Sequence, residues 1–197
     1  MANVTEFDEL NNLEASVEEL VTNVDSIKDE PNRAMMGREI EDDLEELLIM
    51  AYVMGSDYAN RVLETEVERD VSKMSSVINE PIEGKTWKDR VREHIAEGDF
   101  GMIETVIRTE TDRVYNEAVE ETAEDIVEET DVKDVYKTWV TMHDDRVRDT
   151  HSYIEGLTIP LDKRFYTIDG DSALRPTGFT DAHNNIGCRC KLKLSRK

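Results

Sequence analysis

Cysteine is nearly missing from this sequence. Only Cys188 and Cys190 occur, one residue apart. That spacing strains a disulfide between them. A disulfide framework is therefore excluded, and a reducing cytoplasm is the expected setting. Long apolar runs are missing too. No stretch approaches the roughly 20 apolar residues that span a bilayer. The opening MANVTEFDEL lacks the basic and apolar segments of a signal peptide, so none is expected. Proline (4) and glycine (9) are few and mark breaks between long polar-apolar periodic stretches.

What is abundant is acid. Hydrophobic residues make up 38% and charged residues 36%, with a net charge of −22, which predicts a modest core and an extended chain. The charge is lopsided. Up to Thr130 there are 12 Lys+Arg against 36 Asp+Glu; from Asp131 onward there are 12 against 10. An acidic helical arm (1–130) repels DNA, so any phosphate contact falls to the remainder (131–197).

Leu10, Leu13, Val17, Leu20, Val24 and Ile27 step by three and four, a heptad-like seam. Such a seam packs on another helix of the chain or on a second copy. Pro31 ends it. Ile40 to Val62 forms a second stripe with an acidic back, within a helix expected over 38–65. Gly55 in that stripe predicts a close helix approach. Met35, Met36, Met50 and Met54 read as core filler. Thr86 is the expected N-cap of a helix ended by Gly98 and Asp99, and a longer helix follows over 100–129. Arg108 to Thr111 interrupts its apolar face. That notch faces water or makes a buried pair of Arg108 with Glu110.

The period changes after Asp131. Around Trp139 it is two, with Tyr136, Thr138 and Val140 on one side and Lys137, Trp139 and Thr141 on the other, a strand. Residues 144–153 read as a short helix with Asp144 or Asp145 as cap, ended at Glu155-Gly156. Cys188 to Leu194 alternates again, with Cys188, Cys190, Leu192 and Leu194 on one face and Arg189, Lys191 and Lys193 on the other. Pairing of this strand with the Trp139 strand would gather Trp139, His151 and both cysteines in one small core. The fold class expected is α+β, a helical part followed by a small mixed module.

The segment KTWVTMHDDRVRDTH, residues 137–151, invites three chemical readings. An enzyme would use His143, Asp145 or Asp149, and His151 as acid–base groups, with Arg146 or Arg148 holding an anion. No nucleophile elbow, phosphate-binding glycine loop or HExxH accompanies them. A zinc site would use Cys188, Cys190, His151 and His183; the same cysteines also fit a plain buried strand face. A DNA contact would use Arg189, Lys191, Lys193, Arg196 and Lys197; the same charges also fit a protected edge strand.

The ordered set of motifs resembles the phage Mu F-like minor head proteins, also called phage head morphogenesis proteins. It begins at Tyr52-Val-Met-Gly55 and strengthens at IRTET (107–111). It is strongest through KTWVTMHDDRVRDTH, Glu155-Gly156, LDKRF ending at Phe165, Pro176, Asn185 and the Cys188-Arg-Cys190 close. Where the family often has Leu-Asp-Gly, this chain has Ile154-Glu155-Gly156. The resemblance implies a structural component of a tailed-phage or prophage head near the portal vertex. It implies portal protein and major capsid or scaffolding protein as partners and double-stranded DNA as a further contact, with no membrane. It also implies assembly in the bacterial cytoplasm and residence in the virion, with no cofactor other than the zinc considered above. An oligomer through the N-terminal helices is a further expectation. The residues expected to frame the module are Arg108, Glu110, Trp139, Asp145, Arg148, His151, Gly156, Phe165, Asn185, Cys188 and Cys190. The rival expectation is a metal-dependent or nucleic-acid-processing enzyme built on His151.

Overall fold

A computed structural model describes residues 4–26, 28 and 33–196, with side chains from residue 10 and, after the first helix, from residue 37. Ile27, Pro31, the side chains of Met35 and Met36, and Lys197 lie outside the described residues. Five helices come first: α1 (Val4–Ser26), α2 (Arg33–Leu63), α3 (Val71–Ile78), α4 (Trp87–Glu97) and α5 (Phe100–Glu129). Then follow β1 (Val135–Val140), α6 (Asp149–Ser152), β2 (Thr158–Pro160), β3 (Phe165–Tyr166), β4 (Ser172–Ala173), α7 (Ala182–Asn185) and β5 (Lys191–Arg196). The class is α+β, as the change of period near Asp131 predicts.

The helix ends follow local chemistry. Thr86 caps α4 in a full capping box with Asp89, satisfying two backbone donors reciprocally. Gly98 closes the helix in the left-handed region at φ 73°, where a Cβ would be strained. Asp70 caps α3 through the backbone N–H groups of Ser72 and Lys73.

α5 is the spine. Its apolar face, from Ile103 through Val114 and Ala118 to Ile126, is buried against α2. Leu13, Val17, Leu20 and Val24 of α1 are buried on α2 and α5 of the same chain. The seam that could have served a second copy is thus covered internally. After α2 the chain is irregular over 65–70, and α3 begins at Val71.

The sheet has the order β2-β1-β5, with both pairings antiparallel. Trp139 faces Leu192 across β1 and β5, the pairing that the two alternating segments suggest. Val135, Lys137 and Trp139 form the buried face of β1. Pro160 ends the edge strand β2, where its missing N–H breaks no ladder. The expected division at Thr130/Asp131 falls between α5 and β1, yet one apolar core runs through it. Polar ties cross it as well. Asn116, fully buried on α5, donates to the Cys190 carbonyl (3.0 Å) and accepts from the Leu192 N–H (2.8 Å). The Leu194 N–H donates to Tyr58 Oη of α2 at 3.1 Å. The helices are therefore docked on the module instead of extending from it.

Candidate functional site

The site is built where β1, α6 and the segment before β5 converge. Alternation along β1 sends Trp139 inward. The Gly156 N–H donates to the Trp139 carbonyl at 2.9 Å, and Gly156 itself sits at φ +71°, so the turn that returns the chain needs glycine. Trp139 packs edge-on to His151 and Phe165, with ring centroids 5.4 and 5.2 Å away, and tilted against Phe179 at 5.4 Å. His151 stacks on Phe179 at 5.5 Å. These are ordinary aromatic contact geometries, and together they fix the imidazole in an apolar box.

His151 Nδ1 points at two sulfurs, 3.6 Å from Cys188 Sγ and 3.5 Å from Cys190 Sγ. All three residues are buried. The Cys190 hydrogen bond, with His151 beside it, holds Cys188 well below the usual thiol range against the effect of burial. The Cys188 sulfur and burial push Cys190 upward.

Asn185 locks the approach to the cysteines. Its side chain accepts from the Phe179 N–H (2.9 Å) and donates to the Phe179 carbonyl (2.7 Å). The Cys188 N–H donates to the Asn185 carbonyl at 3.0 Å. Arg148 reaches the Ile186 carbonyl. Asn184, fully buried, and Asp171 were not visible in the sequence pattern. Asp171 accepts from Ser172, Thr180 and Asp181 backbone N–H groups and from Asn184 Nδ2. Burial raises that carboxyl, but these donors, Asn184 first, hold it below its usual range.

Several expected site residues stand elsewhere. His183 is outside the cluster. Asn184 faces inward, and the next residue around a helical turn faces away, so His183 is exposed beside Asp181 (2.9 Å) and Asp169 (3.4 Å). The hydrogen bond to Asp181 raises its pKa above the usual 6.5. Asp145 frames nothing: it is exposed, while neighbouring Asp144 grips Arg189 at 2.7 Å. That grip also explains why the expected helix over 144–153 shrinks to α6, capped by Arg148 with no side-chain cap bond. Arg108 and Glu110 do not pair, because residues two apart on a helix point to different faces. Arg108 instead meets Glu18 of α1 (2.8 Å) and Glu104 (3.0 Å).

The basic stripe near the C-terminus is divided. Arg189 is paired with Asp144, and Lys191 with Asp112 of α5. Arg196 donates to the Leu63 carbonyl at 3.3 Å. Lys193 is exposed, with no ion pair among the described residues.

A second polar system was not anticipated. Along one edge of α5 runs a chain of alternating charges. Arg90 meets Glu110 (2.5 Å), Glu110 meets Arg113 (2.9 Å), and Arg113 meets Glu117 (2.9 Å). Arg175 then bridges Glu117 (2.7 Å) and Glu120 (3.1 Å), and Glu120 holds Lys137 of β1 at 2.8 Å. Glu110, Arg113, Glu120 and Lys137 are buried. Burial lowers the Lys137 pKa, opposed by Glu120. The sequence signals for this network were Glu110 in the polar notch of α5, expected in a buried pair but with Arg108, and a lysine on the Trp139 side of β1.

Fold and site together describe an α+β protein whose polar groups mostly bind one another inside a closed frame. The profile of the family described as Phage Mu protein F like protein matches residues 25–193. The chain belongs to that family. It is also similar to NAD(+)--arginine ADP-ribosyltransferase EFV of Enterococcus faecalis (strain ATCC 700802 / V583), 26% identical over 145 residues. The alignment covers 73% of this chain and 29% of that protein, so the chain spans less than a third of its relative. No solved structure matches. Among the described residues, no helix is long and apolar enough to cross a membrane.

Proposed function

We propose that the chain is a minor head protein of a tailed phage or prophage, acting as a structural element at the portal or capsid vertex. The observation that carries this reading is the extent of the family match. It runs through the helices and the sheet alike, residues 25–193, so the role belongs to the whole frame and not to one grafted pocket. The ionic network along α5 supports it, since buried, mutually bonded charges hold geometry. The acidic helices, 36 Asp+Glu against 12 Lys+Arg up to Thr130, suit docking on a basic face of portal, capsid or scaffolding protein. On this reading the protein assembles in the host bacterial cytoplasm and resides in the virion. Mass spectrometry of purified heads is expected to find the chain, and immunoprecipitation to retrieve portal protein. Heads devoid of the chain, with no portal protein in the precipitate, would overturn the proposal.

The rival class is favoured by the name of the Enterococcus faecalis relative, an arginine ADP-ribosyltransferase. Against it, the cavity lined by His151, Cys188 and Cys190 is only about 10 Å³, too small to admit a dinucleotide. Nicotinamide release from NAD+ with an arginine ester as acceptor is expected to stay at the buffer rate. Turnover that a His151→Ala variant abolishes would reverse that conclusion.

Non-specific contact with double-stranded DNA is part of the proposal but rests on few charges. Arg189 and Lys191 are engaged by carboxylates; Lys193 and Arg196 have no ion pair among the described residues, and Lys197, outside them, is the third charge of the stripe. Three phosphate contacts give a slope of log K against log salt of about −3. Filter binding across a salt series measures it. A slope near zero, or no retention at low salt, removes DNA from the proposal.

A further inference from the structure

We propose that His151, Cys188 and Cys190 form a structural zinc site, with His151 Nδ1 and both sulfurs as ligands and a fourth position on the side of Met142 and Arg148. This stands independently of the head-protein reading.

The first ground is distance. The three ligand atoms lie within 4.8 Å of one another. Zinc–sulfur bonds of about 2.3 Å and zinc–nitrogen bonds of about 2.0–2.1 Å, at the tetrahedral angle, put nitrogen and sulfur about 3.6 Å apart. The observed Nδ1–Sγ distances are 3.6 and 3.5 Å. Both nitrogen–sulfur distances therefore match edges of such a tetrahedron.

The second ground is the poor satisfaction of the imidazole without an ion. His151 is 1% exposed. Its Nδ1 faces two sulfurs, which are weak hydrogen-bonding partners. A simple packed core would bond such a group, because a buried polar atom left unmatched costs stability. The two cysteines as mere strand residues account for their own burial but not for a histidine aimed between them. Metal ligation gives Nδ1 a strong bond and leaves the proton on Nε2.

The third ground is a small shared cavity. All three residues line one small cavity of about 10 Å³, about the space of one water or ion. Met142, Arg146, Arg148 and Arg189 complete its rim. Those arginines would repel a bare cation. Two thiolates cancel the charge of a divalent ion, so the loaded site is neutral toward them. The rim also leaves the fourth position to one water molecule. The ligands are held from behind by Asn185 and by Asn116, which bonds the Cys190 carbonyl, and by Gly187 at φ +67° turning the chain into Cys188.

The test uses the full chain purified under reducing conditions. Elemental analysis is expected to give about one zinc per chain. Cobalt exchanged into the site is expected to show a thiolate-to-metal charge-transfer band. The band should weaken in Cys188→Ser and in Cys190→Ser, and persist in His183→Ala, whose histidine stands outside the cluster. Chelation is expected to lower the wild-type Tm by on the order of 10 °C, which tests the site even where a cysteine variant fails to fold. A folded wild-type chain that holds under a tenth of an equivalent after incubation with zinc would overturn the proposal. A folded chain whose mass shows a Cys188–Cys190 disulfide after reducing purification would do the same.

Discussion

Glu120→Ala is expected to destabilise the fold by about 3–5 kcal/mol, the cost of stranding a buried charge. Glu120 lies on α5 between two cations, Lys137 at 2.8 Å and Arg175 at 3.1 Å. Lys137 has no exposed surface and no other carboxylate within salt-bridge distance among the described residues. Lys137→Met should cost less, because Glu120 keeps Arg175. The double variant should recover part of the Glu120→Ala loss, giving a favourable coupling energy in the cycle. Urea unfolding at pH 7 measures all three. A Glu120→Ala loss under about 1 kcal/mol would show that the network carries no such weight.

The pH dependence follows from the same pair. Burial already lowers the Lys137 pKa in the folded state, and Glu120 opposes that shift. Without Glu120 the folded-state value falls further, while the unfolded chain keeps the ordinary lysine value. Between those two values the unfolded chain binds more protons, so stability rises with pH in that window. The deficit of Glu120→Ala is therefore largest at neutral pH and narrows as pH rises toward about 10. A deficit that stays constant from pH 7 to 10 would contradict a charged, stranded Lys137.

Gly55→Val is expected to cost about 3 kcal/mol through overpacking, and Gly55→Ala about 1–2 kcal/mol net of its helix-propensity gain. A Cβ at Gly55 would lie 2.5 Å from the Tyr115 carbonyl oxygen, 3.0 Å from Ala118 Cβ and 3.2 Å from the Val119 nitrogen. These are backbone and near-backbone atoms of α5, and they cannot swing aside. α2 and α5 would have to separate along the largest helix contact in the fold. Gly101→Ala is the control. Its added Cβ would meet only Asp99 Oδ1 at 3.8 Å, so it should gain up to about 1 kcal/mol. Equal thermal shifts for Gly55→Ala and Gly101→Ala would remove the close-approach argument.

The family resemblance was legible because it rests on an ordered series of short motifs, and the profile match over residues 25–193 covers all of them. The aromatic and histidine box was legible for a simpler reason. Trp139 sits on β1, where alternation decides the face; the expected strand over 188–194 begins only at Lys191, yet Cys188 and Cys190 lead into β5 with the same alternating burial as Leu192 and Leu194. Phe179 and Asn184 were not legible. They come from the stretch between β4 and β5, whose regular element, α7, is a single turn, too short for a period to assign an inward side. Their roles exist only because Asp171 and Asn185 fold that stretch over His151.

Local pattern determined the long helices, the Thr86 cap, the strand around Trp139 and the break of class near Asp131, because period and capping depend on neighbours within about one turn; it overran α6 and began the last strand too early. It also placed Lys137 beside Trp139. What it could not do was choose partners among 46 acidic residues, more than half of them on helices of similar composition. Docking of α5 on β1 and β5 made that choice. It gave Lys137 to Glu120, Lys191 to Asp112 and the Cys190 carbonyl to Asn116. Those pairs are separated by 17, 79 and 74 residues. Charge has sign and range but no address, so only the packed helix and sheet could supply one.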